Sequence, residues 1–287
     1  MTYAIFGRPS EETLDTLKTL LHYCDEHSYT VLIHKFLVED NAQDFKSYTI
    51  FDKTYDFSEV NLAISIGGDG TFIRLSRMVA PFGVPVLGVN TGRLGFLADI
   101  SGDNISGILD QFKDGQSNIE NRTLLQLKSN NNIHKDSNLA VNEVAILRRD
   151  TSSLLVAKLY ADGKFINSYW ADGLIIATPT GSTAYSMAAG GPIVTPQSNN
   201  LIITPISPHS LTVRPLVISS DVELTVEVES RADNYLVTVD SRSEIVDINE
   251  KLTIKQSPYK LKIVKDKDHD YFCTLREKLM WGKDKRS

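Results

Sequence analysis

Residues 62–72 read Leu62-Ala63-Ile64-Ser65-Ile66-Gly67-Gly68-Asp69-Gly70-Thr71-Phe72, and this stretch decides the fold. A short aliphatic run stops at Gly67-Gly68-Asp69-Gly70, and Phe72, Ile73, Leu75 and Val79 then form the apolar side of a helical pattern. Strand, glycine turn and helix is how an α/β protein builds a phosphate site. The glycines let backbone approach an anion, and the helix start supplies unpaired N–H groups and the positive end of its dipole. Asp69 is the odd member, because a carboxylate beside a phosphate cradle repels its ligand. It must have another task, such as accepting a proton or holding a metal.

The spacing fits neither G-x-G-x-x-G nor G-x-x-x-x-G-K-[ST], so a Rossmann dehydrogenase or a P-loop ATPase is not supported. The 287 residues allow one or two domains, and a 41% apolar share is ample for a core. A net charge of −6 argues against generic binding to nucleic acid or to an anionic membrane. Cys24 and Cys273 are the only cysteines, which suits a reducing compartment. The first residues lack a leader pattern and no run reaches membrane-spanning length, so a cytoplasmic protein is expected.

Working outward, residues 1–115 alternate aliphatic runs (3–6, 30–33, 62–66, 84–89) with helical patterns, which implies a mainly parallel sheet covered on both faces. Ser10 is placed to cap the first helix, with Glu11 and Glu12 in its first turn. Residues 104–112 read as the last helix of this half, and 35–60 as an irregular excursion. From about 119 the texture turns to short strands: 123–128, 139–147, 154–160, 164–171, 174–177, 201–205, 216–218, 223–228, 236–239, 251–254 and 260–264. Asp162-Gly163 reads as a two-residue hairpin turn. A sandwich-like second domain follows. The tail from 269 is helical and apolar on one period, too apolar for a free terminus.

The second informative stretch is Trp170-Ala171-Asp172-Gly173-Leu174-Ile175-Ile176-Ala177-Thr178-Pro179-Thr180-Gly181-Ser182-Thr183-Ala184-Tyr185-Ser186. Its small and hydroxyl-bearing residues exceed what a helix cap needs, and they suit a surface that hydrogen-bonds to a polar ligand.

With both stretches in view, the chain resembles the bacterial NAD kinases. The resemblance is carried by Gly67-Gly68-Asp69-Gly70-Thr71, Asn90-Thr91-Gly92-Arg93-Leu94-Gly95-Phe96-Leu97, Asn142-Glu143, the 172–186 block with Gly190-Gly191-Pro192, and the later Pro208-His209 and Arg214-Pro215-Leu216. It implies an α/β N-terminal domain with a Rossmann-like, phosphofructokinase-like parallel sheet (1–118, with the tail from about 265 to 287 packed on it) and an all-β, sandwich-like, NAD-binding domain (119–264). It further implies transfer of the ATP γ-phosphoryl group to the 2′-hydroxyl of the adenosine ribose of NAD. Asp69 matches the proton acceptor, and Gly70 and Arg74 match dinucleotide contacts. Asn142 and Glu143 match the pair that engages its ribose. Asp172, Thr180, Thr183, Ala184, Tyr185, Ser186, Met187 and Ala188 match the wall that receives the rest. Gly67, Gly68, Asn90, Thr91 and Gly92 fall on the ATP phosphate side. The dinucleotide is expected between the domains and partly across a contact in a homo-oligomer, a dimer or tetramer. No His or Cys pattern has metal-ligand spacing, so Mg²⁺ is expected to arrive with ATP.

Two positions depart from the family pattern: Trp170 stands where many members have Arg, and Arg242 follows Asp240-Ser241 where many have Gln. The alternatives are a lipid kinase sharing Gly-Gly-Asp-Gly, disfavoured by Asn142-Glu143 and the threonine-rich block, and a non-catalytic NADP-binding protein, disfavoured by Asp69.

Overall fold

The aliphatic runs near the amino terminus become parallel strands. The computed structural model describes residues 1–38, 45–92, 95–135, 137–150, 154–280 and 282. The chain divides into two units, Met1–Asn121 with Leu261–Ser287, and Arg122–Lys260.

In the first unit the order is β1 (Thr2–Gly7), α1 (Glu11–Glu26), β2 (Thr30–His34), α2 (Lys35–Val38), β3 (Thr49–Phe51), β4 (Leu62–Ile66), α3 (Asp69–Val79), β5 (Val86–Asn90), β6 (Ile100–Ser101) and α4 (Ile105–Lys113). The strands lie in the order β5-β4-β1-β2-β3, every pair parallel. The other edge of β5 takes β6 beside Val89 and Asn90, and Ile263 and Val264 beside Val86 and Leu87. The chain therefore moves outward from β1 to β3, then restarts at β4 on the opposite side of β1. Such a reversal opens a crevice at the carboxyl ends of the two strands, where α/β sheets bind ligands. Gly7-Arg8-Pro9 and the Gly67–Gly70 loop end those strands.

Tyr3, Ala4, Ile5, Phe6, Leu62, Ala63, Ile64 and Ile66 are fully buried, as strands covered on both faces require. The Ser10 hydroxyl accepts the Thr13 N–H and starts α1. Leu17 and Leu20 of α1 and Ile108 and Leu109 of α4 join Tyr3, Ile5, Ile64 and Leu87 in one core. Gly88 in β5 has a packing reason: a Cβ there would lie 2.8 Å from Phe72 of α3 and 2.8 Å from the Ala98 Cα.

The second unit contains most of β7 (Asn118–Ser129), then β8 (Leu139–Ala140), β9 (Glu143–Leu147), β10 (Leu155–Ala161), β11 (Lys164–Ala171), β12 (Gly173–Ala177), α5 (Tyr185–Ala188), β13 (Asn200–Ile206), β14 (Leu216–Ser219), β15 (Leu224–Ser230), β16 (Asn234–Val239), β17 (Arg242–Asp247) and the start of β18 (Leu252–Lys265). Helix α6 (Tyr271–Leu279) belongs to the first unit, with Thr274 and Leu275 buried. One antiparallel sheet runs β14-β13-β12-β9-β16-β17. The other layer has β11, β10, β15 and residues 252–254 of β18. Val144, Ile146, Leu174 and Ile176 from the first sheet meet Leu155, Ala157, Leu159 and Val226 from the second in one core, the sandwich expected.

Three strand readings are corrected. The run 139–147 is two strands, broken at Val141-Asn142, because the Asp240 carboxylate takes N–H groups there. The runs 251–254 and 260–264 are one strand, since Pro258 is compatible with extended backbone and lacks only a donor. Strand β17 carried no aliphatic signal: it is a sheet edge, with only Val246 buried. The Asp162-Gly163 turn stands as read, with φ of 49° and 74°. Among the described residues no helix is long and apolar enough to cross a membrane.

Candidate active site

In the first unit the loop after β4 uses its glycines in two ways. Gly67 serves the turn: its φ is +140°, and its N–H donates to the Val89 carbonyl at 2.8 Å. Gly68 and Gly70 serve no such need. Neither has positive φ, and a Cβ on either would meet nothing within 4 Å. Their missing side chains leave space on the outer side of the loop, at the start of an eleven-residue helix whose N-cap offers no side-chain acceptor.

That space is a cavity of about 260 Å³ lined by Phe6, Arg8, Gly68, Gly70, Thr71 and Arg74, at the ends of β1 and β4. The Arg74 guanidinium sits 4.5 Å above the Phe36 ring and 5.8 Å from the Phe6 ring. Burial, and after it the charge of Arg8, pulls the Arg74 pKa below its usual value. Beneath them His34 is buried, and its Nδ1 accepts the Phe36 N–H at 3.2 Å. Burial, then the charges of Arg74 and Lys35, push its pKa down to about 4, so this aromatic wall is neutral. Among the described residues the lining carries two cations, open glycine backbone and no carboxylate, a set whose chemistry suits phosphate oxygens.

Asp69 points the other way. Its Oδ1 accepts the N–H groups of Leu97 and Ala98 and its Oδ2 that of Phe96, all at 3.0 Å. Gly95 fits only as glycine, because a Cβ would stand 1.9 Å from Asp69 Oδ1. Among the described residues these three N–H groups take three of the four lone-pair directions of the carboxylate. Asn90 is buried under the same loop, its Nδ2 donating to the Ala98 carbonyl and its Oδ1 accepting the Gly92 N–H at 2.7 Å. Its amide shapes the loop rather than facing outward. Thr91 is half-buried and Gly92 exposed, while Arg93 and Leu94 lie outside the described residues.

In the second unit one end of the six-stranded sheet gathers Asn142, Glu143, the residues after β12 and Asp240. The Asp240 carboxylate accepts N–H groups from Val141 (2.7 Å), Asn142 (2.8 Å) and Glu143 (3.3 Å). It does so from a tight turn in which both Asp240 and Ser241 have positive φ, 44° and 67°, an uncommon conformation without glycine. The Thr178 hydroxyl donates to the Val141 carbonyl and accepts the Gly181 N–H, and a Cβ on Gly181 would lie 2.2 Å from the Asn142 carbonyl oxygen. Residues 141–143 are therefore held from two sides. The Glu143 carboxyl is buried, and its Oε2 has no partner among the described residues. Burial, then the Asp240 charge, raises its pKa to about 7, partly offset by the Tyr185 N–H.

Thr180 is buried, its hydroxyl without a partner among the described residues, Ser186 is buried and bonded to Thr204 at 2.8 Å, and Thr183, Ala184 and Met187 are half-buried. Tyr185 and Ala188 are exposed. Asp172 is not brought to this cluster. It stands at the opposite end of β12, roughly 17 Å of strand away, and pairs with Arg148 at 3.2 Å. Trp170 is 54% exposed, and Arg242 donates to the Leu139 carbonyl. Among the described residues no group of three or more His, Cys, Asp or Glu could hold a metal. Sequence reasoning missed Arg8 and Asp240 as site residues. The signal for Arg8 was its place just after the first strand, beside the strand-order reversal.

Comparison with known proteins gives a consistent result. Family models described as the ATP-NAD kinase N-terminal domain and C-terminal domain match residues 4–117 and 141–266. The NAD kinases of Cytophaga hutchinsonii and Bacteroides fragilis are 41% and 43% identical over 292 and 291 residues, each match covering the whole of both chains. Among solved structures, yeast NADH kinase complexed with NADH aligns with a TM-score of 0.88 at 24% identity, over 99% of this chain and 89% of that one. An NAD kinase from Archaeoglobus fulgidus in complex with ATP aligns at 0.76 and 25% identity, over 98% and 99%.

Proposed function

Since the chain belongs to the ATP-NAD kinase family, we propose that it transfers the γ-phosphoryl group of ATP to the 2′-hydroxyl of the adenosine ribose of NAD, giving NADP and ADP. The observation that carries this reading is the pairing of open glycine backbone at Gly68 and Gly70 with a fixed, acceptor-only carboxylate at Asp69. Phosphoryl transfer needs little covalent help from a protein and depends on alignment and charge stabilisation. Asp69 orients the ribose hydroxyl and accepts its proton as the oxygen–phosphorus bond forms. Gly70 and Arg74 hold the dinucleotide. Arg8, on the same cavity, faces the phosphates of ATP together with Gly67, Gly68, Thr91 and Gly92, and Asn90 holds that loop. Asn142 and Glu143 engage the ribose and its neighbouring groups, fixed by Asp240. Thr180, Thr183, Ala184, Tyr185, Ser186, Met187 and Ala188 form the wall for the rest.

A divalent cation, Mg²⁺ in this proposal, would come on the ATP oxygens and neutralise charge that develops on them. The separation of Asp172 from the Asn142 cluster along β12 supports a homo-oligomer in which Asp172 serves the site of a neighbouring copy. The reading places the protein in the cytoplasm, in keeping with its two unpaired cysteines. One assay tests the whole: purified protein with Mg²⁺, ATP and NAD, followed by enzymatic detection of NADP, with diacylglycerol and sphingosine as competing acceptors. NADP formation with both lipids untouched is expected. Lipid phosphorylation without NADP would overturn the assignment.

A further inference from the structure

Lys265 is a charged residue with no exposed side-chain surface, at the end of the strand that runs beside β5. Its Nζ donates to the Asp99 Oδ2 at 2.7 Å and to the Leu97 carbonyl at 3.3 Å. The Asp99 side chain is 7% exposed, with His269 Nδ1 at 3.3 Å from the same oxygen. Asp99 Oδ1 has no partner among the described residues. A buried ion pair is weak evidence for stability, because desolvating two charges offsets most of their attraction. Apolar side chains would fill the place at least as well, so the pair calls for a reason other than stability. The neighbouring hydrogen bonds supply one. Leu97, whose carbonyl Lys265 holds, gives its N–H to Asp69, as do Phe96 and Ala98 on either side. The carboxyl-terminal segment is thereby one peptide unit away from the carboxylate that meets the ribose.

We propose that Lys265, paired with Asp99, is a positioning residue for phosphoryl transfer: it fixes segment 96–98, whose three N–H groups aim the Asp69 carboxylate. This rests on the kinase reading, whose own failure would show as a parent protein that makes no NADP.

The test must separate positioning from folding. Lys265→Met alone leaves Asp99 buried without its partner and is expected to destabilise the fold. Lys265→Met combined with Asp99→Leu removes both charges and is expected to melt close to the parent. If the pair positions Asp69, this double variant remains slow: kcat falls about 10²-fold, as a displacement near 1 Å in a reacting group can cause, while KM for NAD and ATP stays within about twofold. Hydrogen exchange at the amides of Phe96, Leu97 and Ala98 should quicken relative to those of β4. A double variant with the parent's kcat would overturn the proposal. So would a slow variant whose 96–98 amides exchange as in the parent. If neither variant folds, the pair is a requirement of the fold and the proposal is wrong.

Discussion

Replacing Asp69 by Asn keeps the shape of the side chain and removes its charge and one acceptor. With Oδ1 kept toward Leu97 and Ala98, two of its three N–H bonds survive as neutral ones. Each weakens by about 1 kcal/mol, the difference between charged and neutral acceptors. At the third position an amide N–H now faces the Phe96 N–H, and a donor left unsatisfied costs about 1–3 kcal/mol. The segment 96–98 therefore loses about 3 kcal/mol of local support, the lower end of that sum, because Asp69 is only half-buried. Loss of the proton acceptor removes a further rate factor of about 10²–10⁴. Turnover should collapse while NAD still binds, and nucleotide affinity should rise because repulsion between the carboxylate and phosphates is gone.

Asp69→Ala separates the two roles, since it abolishes all three bonds as well as the acceptor. The assay is NADP formation under saturating ATP and NAD, with NAD affinity by calorimetry and a thermal melt on the same preparations. Proton acceptance as the main role predicts that Asn and Ala lose kcat alike. If Asn retained near-normal turnover while Ala lost it, the two surviving bonds would suffice, Asp69 would be a clamp alone and the proton-acceptor argument would fail.

The other predictions draw on the same geometry. Gly70→Ala should raise the melting temperature, since Ala is favoured over Gly in a helix by about 0.5–1 kcal/mol and the Cβ has open space; activity should nevertheless fall sharply, and an active, stabilised variant would show that no ligand approaches that backbone. Gly181→Ala should do the reverse, unfolding more easily because its Cβ would press on the Asn142 backbone, which a melt against the parent measures. Glu143 binds a proton when folded that the unfolded chain has released between its ordinary 4.5 and about 7, so stability falls as pH rises through that window, by about 3 kcal/mol above it. Glu143→Gln should then melt above the parent at pH 8 and close to it at pH 5, and identical pH profiles would refute the burial argument. Arg8→Gln should raise KM for ATP about tenfold, the loss of roughly one charge-assisted hydrogen bond, with KM for NAD unchanged; the opposite split would move Arg8 to the dinucleotide.

The parts of the fold that sequence revealed are those with a local cause. Aliphatic runs ending in glycine gave the parallel strands, Ser10 gave its helix start, and Asp162-Gly163 gave its hairpin. What sequence could not reveal depended on distant partners. Nothing near Val141 announces that a turn about a hundred residues later interrupts its strand. Nothing near Lys265 announces that a lysine in an apolar strand is satisfied by Asp99. The motifs located the loops of the candidate site well, but not the direction of their side chains. Asn90 is matched to the ATP phosphate side, and only the structure shows that its amide also bonds the Ala98 carbonyl and the Gly92 N–H. Asp172 reads as part of one block with Thr180, yet a strand of five residues carries it to the other end of the sheet. The cationic pair Arg8 and Arg74 emerges only once the strand order sets β1 beside β4.

Both units, each taken by itself, use the same device. A loop that must present backbone to a ligand cannot also be pinned by ladder bonds, because its N–H groups would then be unavailable or its path too straight. In each unit an aspartate from elsewhere in the chain gathers three consecutive N–H groups on the far side of the loop: Asp69 those of 96–98, Asp240 those of 141–143. Each carboxylate satisfies donors, most of them on buried residues, that would otherwise be orphaned. A glycine beside each loop marks the close approach, Gly95 at Asp69 and Gly181 at Asn142. The two positive φ angles at Asp240 and Ser241 belong to the turn that carries the Asp240 carboxylate to residues 141–143. An aspartate in a glycine-rich motif reads as a reactive group. Here the first duty of both aspartates is to hold a loop still, and whatever chemistry Asp69 performs is done by a carboxylate already engaged by three N–H groups.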